Sequence, residues 1–156
     1  MNNRVLITNP SFRENHIIIV FDMDDVLIKF NESTDSVSID FKWYNFLSWL
    51  ESKNVKLHLC TRGDYKYAIS VLFTCRLLTY FKTIRTREME NNIFDAPKSG
   101  LIYRQNNPTS WIILIDDHPE NGDDYYDLVV THKNVDETIF TILEFLSSKR
   151  SLVKKY

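Results

Sequence analysis

Carboxylates gather at two places in this sequence, each time directly after a run of aliphatic residues. HIIIVFDMDDVLIKF, His16 to Phe30, carries Asp22, Asp24 and Asp25 after Ile17-Ile18-Ile19-Val20-Phe21. WIILIDDHPEN, Trp111 to Asn121, carries Asp116 and Asp117 in the same way. A third apolar run, VKLHLCTRGD from Val55 to Asp64, ends in a hydroxyl, Thr61, followed by Arg62. Lys98 lies between Thr61 and Asp116, in a Pro-Lys-Ser-Gly stretch. Asp22 and Asp24 are two residues apart, so on an extended segment both point to one side. Carboxylates held that close repel each other unless a cation sits between them or one takes up a proton. Taken alone, the first cluster would also suit a solvated turn after a core strand.

These residues need strands to hold them. A continuous apolar run reads as a strand buried on both faces, in the middle of a parallel sheet. In open α/β sheets, ligands and chemistry sit where such strands end. The order of elements follows from the pattern. Residues 1–14, with Val5-Leu6-Ile7, read as an arm or edge strand, and the central strand spans about 16–22. Lys29 to Asp40 is polar, with Val37 and Ile39 alternating, and reads as a hairpin or flap beside the site. Phe41 to Lys53 carries Trp43, Phe46, Leu47 and Leu50 on one helical face, with Asn54 as its stop. Val55–Cys60 is a strand, and Asp64 caps a helix running to about Leu78. Thr83–Glu88 is a short strand, Lys98 lies in a turn, and Trp111–Ile115 and Tyr126–Thr131 are strands. Glu137–Ser148 is a closing amphipathic helix, followed by a basic, frayed tail at 149–156. Alternating strands and helices define a three-layer α/β sandwich with a mainly parallel sheet, one domain with its core at about 15–148.

The series DxD, then Thr, then Lys, then DD, with the acids and the hydroxyl at strand ends, resembles the haloacid dehalogenase superfamily of phosphohydrolases. Asp22-Met23-Asp24-Asp25-Val26 resembles its first motif, Thr61 its second, Lys98 its third and Asp116-Asp117 its fourth. The resemblance implies a Rossmann-like sheet and Mg²⁺-dependent hydrolysis of phosphomonoesters. Asp22 would be the nucleophile that forms an aspartyl-phosphate. Asp24 would be the general acid and then the base. Thr61 would bind a phosphate oxygen, and Lys98 would neutralise charge on the nucleophile and the phosphoryl group. Asp22, Asp116 and the Asp24 carbonyl would hold Mg²⁺, with Asp117 reaching it through water or from behind. For Arg62, contact with substrate phosphate and a solvated loop position both stand. Asp25 reads as a turn residue and His118 as a loop residue, since no histidine or cysteine partner for zinc is near it. Asp123, Asp124 and Asp127 form an acidic cluster expected as a solvated face, with contact to the metal as the other reading.

Composition narrows the function classes. The chain has 156 residues and a net charge of −2, so no overall basic field draws it to nucleic acid or anionic lipid. No apolar run is long enough to span a bilayer, no signal-peptide pattern opens the sequence, and Cys60 and Cys75 sit in apolar context, so an intracellular protein with reduced thiols is expected. Three glycines leave no Gly-rich phosphate loop.

Within the superfamily, caps lie between the first and second motifs or between the second and third. Here both intervals are filled by the flap, helices and strands already assigned. An uncapped, open site encloses small metabolites poorly and favours phosphate carried on a macromolecule. The chain is most similar to the small phosphatases related to the RNA polymerase II C-terminal-domain phosphatases. The matching stretches are FKWYNFLSWL, the strand-end Thr61, Arg87-Glu88 and IILIDDHPEN. It departs from their motifs at Val26, where they carry Thr, and at Asp117, where they carry Asn. A phosphoprotein is the expected partner. The alternatives are a polynucleotide 3′-phosphatase or nucleotide phosphatase, with Arg62, Lys82, Arg85 and Arg87 as an anion-binding rim, and a catalytically silent binding module.

Overall fold

The computed structural model describes residues 16–86 and 98–153. The first half runs β1 (Ile17–Phe21), β2 (Ile28–Asn31), β3 (Ser36–Ile39), α1 (Lys42–Ser52), β4 (Lys56–Cys60), α2 (Tyr65–Thr74) and β5 (Thr83–Arg85). The second half runs α3 (Leu101–Asn106), β6 (Trp111–Asp116), β7 (Leu128–Thr131) and α4 (Val135–Val153). Five strands pair in parallel in the order β5-β4-β1-β6-β7, and β2 and β3 form a separate antiparallel hairpin. In β1, Ile19 lies between Leu57 of β4 and Ile113 of β6. Every residue of β1 is buried, which accounts for its unbroken apolar run.

The two faces of the sheet are covered unequally. Ile17, Ile19 and Phe21 pack with Trp43, Leu47 and Leu50 of α1, Ala68 and Leu72 of α2, and Ile142 and Leu146 of α4. On the other face Ile18 and Val20 pack with Ile112, Leu114, Tyr103 of α3 and Tyr126. That thinner layer is pinned by a buried cation. Arg104 is fully buried, donates to the carbonyls of Ser110 and Tyr125, and pairs with Asp127 at 2.6 Å.

Several boundaries differ from the sequence reading. α1 ends as expected, with Asn54 in the left-handed region (φ 60°) and the Val55 N–H bonded to the Leu50 carbonyl. α2 ends the same way but earlier than Leu78. Arg76 takes the left-handed position (φ 58°), and the Leu77 N–H reaches the Leu72 carbonyl. α3, six residues long, follows the Pro-Lys-Ser-Gly turn in a stretch to which the sequence pattern assigns no element. α4 runs from Val135 to Val153, so much of the stretch expected to fray is helical. β5 stops at Arg85, and the expected arm at 1–14 and the Arg87-Glu88 match lie outside the described residues.

His58 on β4 faces the thinner layer. It is 6% exposed, its Nδ1 hydrogen-bonds Thr83 Oγ1 at 2.5 Å, and its ring lies 5.3 Å from that of Tyr103. Burial, helped by Lys82 and Lys56, pushes its pKa down to about 4. The unfolded chain therefore takes up a proton near pH 6.5 that the native state refuses until about 4. The stability this residue gives at neutral pH is lost as pH falls through that window, by on the order of 3 kcal/mol. Urea unfolding at pH 7 and pH 4.5 checks this: wild type loses more stability on acidification than His58→Gln.

Candidate active site

The site is built at the carboxyl edge of the sheet, where β1, β4 and β6 end side by side. Asp22 follows β1 directly, and its N–H continues the ladder to the Ile115 carbonyl at 2.9 Å. The chain then turns back on itself. The Leu27 and Ile28 N–H groups both reach the Met23 carbonyl, and Asp25 takes the left-handed conformation (φ 61°). Met23, Val26 and Leu27 are buried in this turn, and Trp43 Nε1 donates to the Val26 carbonyl at 3.1 Å. Burying those side chains leaves Asp24 half-exposed beside the site, and Asp25 is the exposed turn residue. Asp24 Oδ1 accepts a hydrogen bond from the Tyr67 hydroxyl at 2.9 Å.

Lys98 lies between the two acid clusters. Its Nζ donates to Asp22 Oδ1 at 2.6 Å and to Asp116 Oδ2 at 2.9 Å. Asp22, Lys98 and Asp116 are 7%, 2% and 0% exposed, so this is a desolvated ion triad. Burial, reinforced by Asp116 and opposed by Lys98, pushes the Asp22 carboxyl up to about 7. Burial also raises Asp24, opposed by its bond from Tyr67. Lys98 is raised despite its own burial, because Asp22 and Asp116 hold its charge. It is placed by the start of α3. The Ser99 hydroxyl accepts from the Leu101 N–H, and the Gly100 N–H is held by Asp123 at 3.1 Å.

Carboxylate oxygens of Asp22, Asp116 and Asp117 lie within 4.8 Å of one another, with Lys98 as the cation bonded among them. Three convergent carboxylates against one lysine leave room in the charge balance for a hard cation with oxygen ligands. The donor set therefore fits a hard divalent cation. The Asp24 carboxylate is not in this group.

Thr61 closes β4. Its N–H bonds the Arg85 carbonyl at 2.9 Å, and its buried hydroxyl accepts the Gly63 N–H at 3.1 Å. That hydroxyl still has its own proton to give to an anion. Arg62 is not a solvated loop residue: its Nη2 donates to Asn121 Oδ1 at 2.6 Å. Asn121, 8% exposed, also reaches both Asp116 oxygens at 3.3 Å. Asn121 and Tyr67 were not marked as site residues in the sequence. Neutral residues on a loop and on a helix carry no charge pattern, and only IILIDDHPEN hinted at the asparagine.

Other expectations need correction. Asp123 and Asp127 are not a solvated face: Asp123 holds Gly100, and Asp127 accepts from Arg104 and the Ile112 N–H. Only Asp124 of the three is exposed. Of the expected anion-binding rim, Arg87 lies outside the described residues, and Lys82 and Arg85 are placed elsewhere. Lys82 precedes β5, at the amino edge of the sheet away from the acids. Arg85 is turned inward, donating to the Ser99 carbonyl and lying 5.4 Å from the Tyr103 ring centre. A cavity of about 340 Å³ adjoins the site between the flap, Trp43 and His132, with Lys29 and Lys133 at its walls.

No family model and no curated protein matches the sequence. Solved structures do match the fold. A hydrolase from Streptococcus pneumoniae TIGR4 superposes with a TM-score of 0.65 at 10% identity, over 83% of this chain and 99% of that one. A protein from Thermotoga maritima described as a beta-phosphoglucomutase gives 0.57 at 12% identity, over 82% and 98%. The core domain of a Streptococcus pneumoniae TIGR4 protein described as a phosphoglycolate phosphatase gives 0.51 at 13% identity, over 83% and 96%. The chain has the haloacid dehalogenase-like Rossmannoid fold, with no cap domain among the described residues. No helix among the described residues is long and apolar enough to cross a membrane.

Proposed function

We propose that this chain is a Mg²⁺-dependent phosphomonoester hydrolase that works through an aspartyl-phosphate on Asp22 and acts on phosphate carried by a protein. The observation that carries this reading is the buried Asp22–Lys98–Asp116 triad, with Asp117 against it, at the carboxyl edge of a Rossmannoid sheet. Structural packing alone seldom justifies two buried carboxylates on one lysine, whereas phosphoryl transfer needs that kind of charge arrangement.

In this mechanism Asp22, Asp116, Asp117 and the Asp24 carbonyl would hold Mg²⁺, which would supply positive charge against the incoming phosphate. Lys98 fixes the Asp22 carboxylate and contributes a second positive charge. Thr61 donates its hydroxyl proton to a phosphoryl oxygen. An Asp22 oxygen attacks phosphorus, the bond to the leaving oxygen breaks, and Asp24 gives that oxygen a proton. Asp24 then takes a proton from water, whose oxygen attacks phosphorus and restores the Asp22 carboxylate. Arg62, held by Asn121 next to Thr61, serves the phosphate side of the site.

A site with no cap domain among the described residues supports a macromolecular substrate. Between macromolecules, the net charge of −2 and the inward-facing Arg85 favour a phosphoprotein over a nucleic-acid end. Hydrolysis of p-nitrophenyl phosphate with and without Mg²⁺, beside Asp22→Asn and Asp24→Asn, tests the chemistry. Phosphopeptides set against 3′-phosphorylated DNA test the substrate class. Turnover that needs Mg²⁺ and is lost in Asp22→Asn supports the reading, and no turnover with any divalent metal overturns it in favour of a binding module. Asn121→Ala, which removes one acceptor from Arg62 and a donor from Asp116, is expected to lower kcat/KM roughly tenfold, as for loss of a hydrogen bond to a charged group.

A further inference from the structure

We propose that Tyr67 is a positioning residue for Asp24, its hydroxyl dictating which carboxyl oxygen carries the proton that moves in the reaction. This rests on the reading of Asp24 as the acid–base group. The Tyr67 hydroxyl donates to Asp24 Oδ1 at 2.9 Å, a bond between residues far apart in sequence. Tyr67 is itself held firmly. It sits in the first turn of α2, and its backbone N–H donates to the capping carboxylate of Asp64 at 2.8 Å. Gly63 lies close beneath its ring, where an added Cβ would come within 3.2 Å of it. The ring is half-buried, so the hydroxyl has little freedom to leave.

A protonated carboxyl accepts at one oxygen and donates from the other. The phenol is protonated at neutral pH and donates to Oδ1. Oδ1 is thus kept as the acceptor, and the acid proton belongs on Oδ2. As the bond from phosphorus to the leaving oxygen breaks, the Oδ2 proton moves to that oxygen and Asp24 becomes a carboxylate. When water attacks the aspartyl-phosphate, Oδ2 takes the water proton and the acid is restored. Without the phenol the proton divides between two oxygens and the carboxyl turns freely, so fewer molecules have it aimed at the leaving group.

A poor leaving group needs that proton, and p-nitrophenolate does not. The test is kcat/KM for a phosphoserine peptide and for p-nitrophenyl phosphate in wild type, Tyr67→Phe and Asp24→Asn. The ratio of the nitrophenyl value to the peptide value is expected to rise about tenfold in Tyr67→Phe, the loss of one hydrogen bond to a charged group. It is expected to rise further in Asp24→Asn. A Tyr67→Phe protein in which both substrates lose the same factor, or in which the ratio stays put, overturns the proposal. If Asp24→Asn also leaves the ratio unchanged, the acid–base reading of Asp24 fails with it; if Asp24→Asn raises the ratio and Tyr67→Phe does not, only the role of Tyr67 is lost.

Discussion

Asp22→Asn is expected to lower phosphatase turnover by at least about a thousandfold while making the metal-free protein harder to unfold at pH 8. Both effects come from one placement. Asp22 is 7% exposed, and burial pushes its carboxyl up from 3.8 to about 7. Between those values the native state holds a proton that the unfolded chain has released, so wild-type stability falls as pH rises from about 4 through about 7. Above that window the ionised, desolvated carboxylate costs on the order of 4 kcal/mol relative to its unfolded state. Asparagine has no such cost and can still accept from Lys98. A gain of on the order of 2 kcal/mol for the variant at pH 8, vanishing near pH 4, is the expected urea-denaturation result. Adding Mg²⁺ should stabilise wild type by linkage and the variant much less. Equal stability of the two proteins at pH 8 would contradict this electrostatic reading of the triad.

Lys98→Met carries the largest expected loss of stability. Its ammonium is the cation bonded to both Asp22 and Asp116, at 2.6 and 2.9 Å. Methionine fills the space but leaves two buried carboxylates facing each other. Removing one partner of a buried ionic cluster costs about 3–5 kcal/mol. The cost has a defined pH dependence. With Lys98 gone, the positive charge and hydrogen bond that lower Asp22 disappear and its carboxyl rises further, so it is neutral in the folded variant at pH 5. The destabilisation should therefore be at its full size at pH 8 and shrink to less than about half at pH 5. Thermal unfolding at the two pH values measures it. A loss that is the same at both would mean that Lys98 acts through packing of its alkyl chain.

The parts legible in the sequence share a physical cause. Parallel strands buried on both faces must be apolar throughout, so β1 and β6 stand out, and acids directly after such runs can only lie at the sheet edge. Asp22, Thr61, Asp116 and Asp117 stand out for that reason and Lys98 only through its place in the motif series, and the fold brings them to one edge. α1 is legible at its carboxyl end because Asn54 is a residue that tolerates the left-handed cap. α2 is not, because Arg76 holds that position without the glycine or asparagine that would announce it. α3 is too short for a helical period to register, and Arg104, one of its residues, looks like a surface cation until its carbonyl and Asp127 partners are seen. Tyr67 and Asn121 were hidden because they act through hydrogen bonds to acids distant in sequence or on a loop, which no local pattern encodes.

The measurement that bears most directly on the mechanism is the location of a phosphoryl group on the enzyme. The protein is mixed with a phosphomonoester and Mg²⁺, quenched in acid during turnover, digested, and its peptides weighed. One phosphoryl group on the peptide containing Asp22, removed by hydroxylamine and missing from Asp22→Asn, is the expected result. Turnover with no phosphopeptide in wild type or in Asp24→Asn, where hydrolysis of the intermediate should be slowed, or a phosphoryl group on another residue, would contradict Asp22 as the nucleophile.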